Sequence, residues 1–391
     1  MKLQTQELLA YKPLLAFSVL FCLSLASAQS SSPNPTQSNS LLSSTLPPSV
    51  LSAVNHAKIP TTSTSPSTTW PFPWPPLPYL IPNITTSAFP AWLNITSYGL
   101  KFSPLQSLYL VTLISTTITR WAYDPFRNPC PESGRNDNET SLDAYVREYL
   151  TCNEHEKPSL PVLVVVLAEF LALVTTYGGR EVEFDFGIGT RYSHDAAEGT
   201  FRYALVGSGS TAAGNVTDMA ETSNATGLPD LPSPVLGALN QMDMDALETN
   251  TTSFGTWPAT PFIVPIGGDL YFNFTSSGQV LGPAYKLSLF IGIAITVDAW
   301  GNRAMLDPSF DPCMSGSNTT SGLVFMDFNC YELHPDVSTS IKTLLGLQAL
   351  ILRFGGAKEV VFEFGFGVDE YHLDPPLGEV SVRLEGPVAA A

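Results

Sequence analysis

The chain is written twice, and this duplication constrains its fold more than any other feature. Pro78-Tyr-Leu-Ile-Pro82 recurs as Pro261-Phe-Ile-Val-Pro265, and Asn94-Ile-Thr96 as Asn273-Phe-Thr275. Thr69-Trp70-Pro71 matches Thr256-Trp257-Pro258, and Trp121 matches Trp300. Asp124-Pro125 and Pro129-Cys130 return as Asp307-Pro308 and Pro312-Cys313. Tyr177-Gly-Gly179 and the acidic run at 181–189 return as Phe354-Gly-Gly356 and the run at 359–367. All keep their order, at offsets of 177 to 187 residues. Chance produces one such match, not an ordered series. Solenoid repeats run about 20–50 residues, so this is a tandem pair of domain-sized units, 69–207 and 256–386.

Two copies arbitrate where one is ambiguous. Leu287, Leu289, Ile291, Ile293, Ile295 and Val297 alternate with other residues, a period of two that predicts a half-buried strand. The twin keeps Leu108, Leu110, Ile114 and Ile118 on one face of a second strand. Val162–Tyr177 alone fits strand or helix. Its twin spaces Leu344, Leu347, Ile351 and Phe354 as a helix does, among Lys342, Gln348 and Arg353. Pro158-Ser159 and Pro335-Asp336 supply start signals, and each helix stops at Gly-Gly. The next strand puts Val182, Phe184, Phe186 and Ile188 inward, or Val360, Phe362, Phe364 and Phe366 in the second copy. A last strand, 200–205 or 379–384, closes each unit. The predicted class is α+β: two tandem homologous domains, each an antiparallel sheet with one packed helix and one intradomain disulfide.

The flanks fix the expected compartment. Lys2 and Lys12, an apolar stretch over 13–25 and Ala26-Ser-Ala28 read as a signal peptide over 1–28. The apolar run falls short of the ~20 residues a bilayer requires. Residues 29–68 form a Ser/Thr/Pro-rich arm expected to be disordered, and 387–391 a tail. Signal removal takes Cys22 and leaves Cys130, Cys152, Cys313 and Cys330. Pairing within units, Cys130–Cys152 and Cys313–Cys330, is the expected connectivity, with pairing across units the alternative. Eight Asn-x-Ser/Thr sequons lie at Asn83, Asn94, Asn138, Asn215, Asn224, Asn250, Asn273 and Asn318. In an exported chain they point to N-glycosylation. Residues 208–255 hold six acidic residues, no basic ones and three sequons, and read as a glycosylated linker. The segment 160–174 is apolar but short and contains Glu169, and its twin carries Lys342, Gln348 and Arg353, so no membrane span is expected after the signal.

Candidate chemistry is thin. His194 and His372 are in register, just past the Gly-x-Gly that ends each acidic strand. With Asp185 or Glu363 they are the candidate metal ligands of each unit. His155 and His334 sit three and four residues past their cysteines, out of register. The outward carboxylates Glu181, Glu183 and Asp185, with Glu359 and Glu363, could seat a general acid and base. Val361 replaces Glu183 in the second copy, which weakens that reading. Neither a Gly-x-Ser-x-Gly elbow nor a His-Glu-x-x-His motif occurs.

These observations set the functional expectation. With 18 Lys+Arg against 35 Asp+Glu the net charge is -17, which disfavours nucleic acid as a partner. The acidity divides as +2 for 1–68, -5 and -8 for the two units and -6 for the linker, so no single anionic patch is implied. No cofactor is expected, and diffuse acidity leaves room only for weak calcium binding. The expected protein is a secreted extracellular structural or recognition glycoprotein of a matrix or coat, without catalysis. Its expected partner is an extracellular protein or matrix component, and its two repeats are expected to pack on each other. The alternatives are a secreted hydrolase or metal-binding protein using His194 and His372 with the acidic strand face, and a two-lobed binder of an apolar ligand.

Overall fold

The computed structural model of the protein describes residues 73–85, 90–123, 138–139, 146–152, 158–189, 198–205, 231–242, 257–315, 317–320, 323–369 and 372–384. The first unit runs β1 (Tyr79–Thr85), β2 (Pro90–Lys101), α1 (Pro104–Tyr123), β3 (Asn138–Glu139), β4 (Val146–Cys152), α2 (Leu160–Tyr177), β5 (Arg180–Ile188) and β6 (Glu198–Leu205). A short helix, α3 (Ser233–Asn240), precedes the second unit. That unit runs β7 (Phe262–Gly267), β8 (Leu270–Val280), α4 (Pro283–Leu306), β9 (Ser317–Thr320), β10 (Val324–Cys330), α5 (Val337–Arg353), β11 (Lys358–Asp369), β12 (His372–Leu373) and β13 (Gly378–Leu384).

Each unit builds the same antiparallel sheet, of five strands with a counterpart in the other unit. The order is β1-β2-β5-β6-β4 in the first and β7-β8-β11-β13-β10 in the second, with the short β3 or β9 added beyond β4 or β10. β12 lies off this path, paired with β11. Identical strand order in two halves of one chain is what the duplicated sequence demands. The α+β class holds as predicted.

The helix content departs from expectation. The segments predicted as alternating strands, at 108–118 and 287–297, are the middles of α1 and α4, so each unit has two long helices and not one. The reason lies in their surroundings. Every residue from Leu108 to Thr119 and from Lys286 to Thr296 is buried, and a helix enclosed on all sides shows no amphipathic stripe. The alternation in α4 arises from small residues, Ser288, Gly292, Ala294 and Thr296, interleaved with large ones. Hydroxyls inside these helices bond back one turn: Thr112 to the Leu108 carbonyl at 2.9 Å, Thr119 to Ser115 at 2.8 Å and Thr296 to Gly292 at 3.1 Å.

Local signals place the helix ends. Ser103 and Gln106 form a capping box, each side chain accepting the other's backbone N–H at 3.3 and 2.8 Å. The Asp336 side chain accepts the Thr339 amide at 2.6 Å, whereas Ser159 makes no side-chain cap bond. Gly178 at φ 81° and Gly355 at φ 70° supply the left-handed turn after α2 and α5.

The two units meet through their helices. α1 lies against α4, its own counterpart, while α1 touches α5 and α2 touches α4 in reciprocal fashion. That is the pattern of a two-fold pair, here within one chain. α3 packs on α4 and α5, where Gly301 leaves room for Pro232 and Val235. Polar links cross the layer. The Thr112 hydroxyl proton, aimed mainly at the Leu108 carbonyl, is shared with Gln348 Oε1 at 3.2 Å, and buried Lys286 donates to the Thr175 carbonyl at 3.1 Å. Arg120 grips Asp298 with two nitrogens, Nε at 3.1 Å and Nη2 at 2.5 Å. α2 and α4 are long and apolar enough to cross a membrane by length and composition, and both are mostly buried inside this fold. Breaking the Arg120–Asp298 pair strands a charge at a largely desolvated interface. Arg120→Ala is expected to cost about 1–3 kcal/mol, with coupling to Asp298→Ala in a urea-unfolding double-mutant cycle. Additive single effects would show that the pair contributes nothing.

Candidate functional site

The candidate carboxylates lie on β5 and β11, the third strands in the order of the two sheets. Inward, β5 and β11 bury Val182, Phe184 and Phe186, and Val360, Phe362 and Phe364, against the helices as expected. The aromatic faces are spent on one another: Phe170 lies 4.7 Å from Phe184 and 5.0 Å from Tyr203, and Phe272 lies 4.5 Å from Phe362. Phe366, expected to be buried, is exposed near the far end of β11, where its partner is Leu270.

Outward, the persistent carboxylates have structural partners. Glu181 accepts the backbone amides of Leu100 and Leu205, both at 3.0 Å. Glu359 accepts those of Gln279 at 3.2 Å and Leu384 at 3.0 Å. Each sits where the register with the neighbouring strand shifts, between Tyr98 and Lys101 on β2 and opposite 277–280 on β8. A bulge leaves a ladder amide unpaired, and the carboxylate satisfies it. Gly99 and Gly278 make this fit possible, since a Cβ at either would overlap the Glu181 or Glu359 carboxylate. The pair that looked like candidate acid–base groups forms a repeated structural clip.

The next carboxylates face partners of their own. Asp185 accepts from Thr200 Oγ1 at 2.9 Å, and Glu363 accepts from Asn273 Nδ2 at 3.2 Å. Glu363 lies directly across from Glu379. Tyr271 and Tyr331 beside them have raised pKa values, through burial first, then the carboxylates around them. His372 begins β12, pairing with Asp369 across the ladder. His194 and His155 lie outside the described residues, as does Cys130.

A different ligand-like cluster appears before α5. Asp311, Cys313 and His334 bring potential ligand atoms within 4.8 Å of one another. Cys313 is disulfide-bonded to Cys330, as expected, so its sulfur is not a free thiolate. Asp311 accepts the Cys313 amide at 2.8 Å and the His334 Nδ1–H at 2.6 Å. The three residues clasp the loop around the disulfide. Cys152 is also disulfide-bonded.

Other groups were not legible beforehand. Trp74 makes the bond that Trp257 makes in the second unit, while Trp70, matched to Trp257 by sequence, lies outside the described residues. The indoles of Trp74 and Trp257 donate to the Gly178 and Gly356 carbonyls at 3.2 and 2.8 Å, fixing each unit's leading segment on its Gly-Gly turn. Tyr98 packs edge-on against Trp74, its hydroxyl donates to the Pro75 carbonyl, and burial drives its pKa to about 12. Glu148 is fully buried, hydrogen-bonded by Tyr203 at 2.6 Å, and burial raises its pKa to about 7. Burial of Lys286 lowers its pKa to about 8. A depression on the first sheet, lined by Ser97, Gly99, Glu183, Arg202 and Ala204, encloses about 10 Å³, room for no more than one water.

The carboxylates described on these strands are paired with amides, hydroxyls and side-chain amides of the same sheets. No family model, no curated protein and no solved structure matches the chain.

Proposed function

We propose that the protein is a secreted, N-glycosylated structural or recognition protein of an extracellular matrix or coat, presenting the outer faces of its two sheets. The observation that carries this reading is the use made of the best candidate catalytic groups. Glu181 and Glu359 are each held by two backbone amides, and the Cys313 sulfur is held in a disulfide. A side chain committed to backbone amides in the resting fold is a poor proton shuttle, because catalysis needs it free to bond the substrate. The inward Phe-rich surfaces are packed against helices, which disfavours an apolar ligand between them. The secretory context comes from the signal-like N-terminus, the cysteine usage and the eight sequons.

The test is expression of the full chain in a eukaryotic secretory host. The medium should contain protein beginning at Gln29, shifted to lower mass by N-glycan removal and partitioning with wall or matrix material. Retention inside the cell with an intact N-terminus and no glycan would overturn the reading.

A further inference from the structure

Each sheet has two outer edges, and the chain treats them differently. On one edge β1 carries Pro82 and β7 carries Pro265, residues with no N–H to offer a neighbouring strand. Both strands are also interrupted by register shifts, between Ile81 and Ile84 and between Pro265 and Gly267. Proline and bulges are devices that blunt an edge against pairing with another chain. The opposite edges have neither. β3 is Asn138–Glu139, and β9 is Ser317–Thr320 paired without a shift to β10 over four residues. Shortness blunts these edges in part, but the outer N–H and C=O groups that remain are still a template for edge-to-edge association.

What both of these strands carry is a sequon, Asn138-Glu-Thr140 and Asn318-Thr-Thr320, at an offset of 180. This is a second duplicated sequon, and its equivalence becomes visible only from the sheet order. The other duplicated pair is occupied by the fold. Asn94 is 2 % exposed, and Asn273 donates to Glu363. The hydroxyls of Thr96 and Thr275 donate to the Glu183 and Val361 carbonyls across the sheet at 3.1 and 3.2 Å. Those sequons recur because Asn and Thr serve the sheet. Asn83, a further sequon, lies on the edge already carrying Pro82 and has no counterpart in β7.

We infer that N-linked glycans at Asn138 and Asn318 cover the β3 and β9 edges and prevent edge-to-edge pairing with a second copy of this chain. The side-chain amide nitrogen attacks C1 of a lipid-pyrophosphate-linked oligosaccharide supplied by the secretory host. An N–C bond forms, the C–O bond to phosphate breaks, the lipid pyrophosphate leaves and the amide gives up one proton. The inference rests on the secretory reading above.

The experiment is glycopeptide mapping of the secreted full chain, followed by size exclusion of an Asn138→Gln/Asn318→Gln double variant. Asn138 and Asn318 are expected to be occupied and Asn94 bare. The double variant is expected to shift from monomer to dimer or larger at concentrations where the parent stays monomeric. Thr140→Ala/Thr320→Ala, which removes the sequons but keeps the asparagines, and enzymatic deglycosylation of the folded protein should give the same shift even if the first variant misfolds. Bare Asn138 and Asn318 in a chain glycosylated elsewhere, or monomers after their glycans are removed, would overturn the inference alone. A chain with no glycan at any sequon would overturn the secretory reading together with it.

Discussion

Glu359→Ala is expected to destabilise the second unit by about 3–5 kcal/mol, and Glu181→Ala the first by a similar amount. Each carboxylate accepts two backbone amides on different strands, Leu100 and Leu205 or Gln279 and Leu384. Hydrogen bonds to a charged group contribute about 1.5–3 kcal/mol each. Removing the side chain takes this acceptor from both amides, and at Leu100 and Gln279 the ladder is already interrupted. Glu359→Gln, which keeps one acceptor oxygen, should recover roughly half of the loss. Denaturant midpoints followed by tryptophan fluorescence at neutral pH measure all three. A loss near 1 kcal/mol or less from Glu359→Ala, within the range of an exposed carboxylate, would mean these groups are merely solvated and available for other chemistry. Unequal losses from the two alanine variants would separate the units energetically.

The second large effect is a pH dependence seated in the first unit alone. Glu148 is fully buried on the inward face of β4, and burial raises its pKa from 4.5 to about 7. A carboxyl whose folded pKa exceeds its unfolded value binds more protons in the folded state between the two. Its stability contribution is therefore complete below about pH 4.5 and declines as pH rises towards about 7. At 1.36 kcal/mol per pH unit the decline amounts to about 3 kcal/mol. The second unit has Met326 and Val382 where the first has Glu148 and Tyr203, and so lacks this dependence. Glu148→Gln is expected to flatten the stability of the first unit between pH 4.5 and 7 and to raise it at pH 8. Thermal midpoints by near-UV circular dichroism over that range check both. A variant that keeps the parent's pH slope would place the dependence in another group.

How far the fold can be read from the sequence depends on where each element sits. β5 and β11 were legible because one face is core and the other polar, so Val182, Phe184 and Phe186 alternate with Glu181, Glu183 and Asp185. α2 and α5 were legible because the two copies differ in polarity. α1 and α4 were not, because a helix enclosed by its own sheet and the opposite helices has no polar face to give it a period. The information was nonetheless present at their starts. Ser103-Pro104-Leu-Gln106 spells a capping box with proline at the first helical position, and Pro283 repeats that proline. The capping signal marks the helix start even where the buried run that follows alternates like a strand. The role of Glu181 and Glu359 was hidden for a different reason. It depends on a bulge in another strand and on Gly99 and Gly278, which lie about 80 residues earlier in each unit. Trp74 was hidden by its neighbour, since Trp70-Pro and Trp74-Pro compete for the same match in the sequence, and the bond to Gly178 is a tertiary contact that no local pattern announces.

One unit, used twice, closes on itself through its helix layer. The most direct measurement is to place a single site-specific protease sequence between residues 206 and 230 of the full chain, cleave it, and follow the fragments by native size exclusion. The fragments should co-elute at the mass of the intact chain and separate only in denaturant, with Arg120→Ala lowering the denaturant concentration required. Independent elution of the two fragments under native conditions would show that the helix layer does not hold the units together.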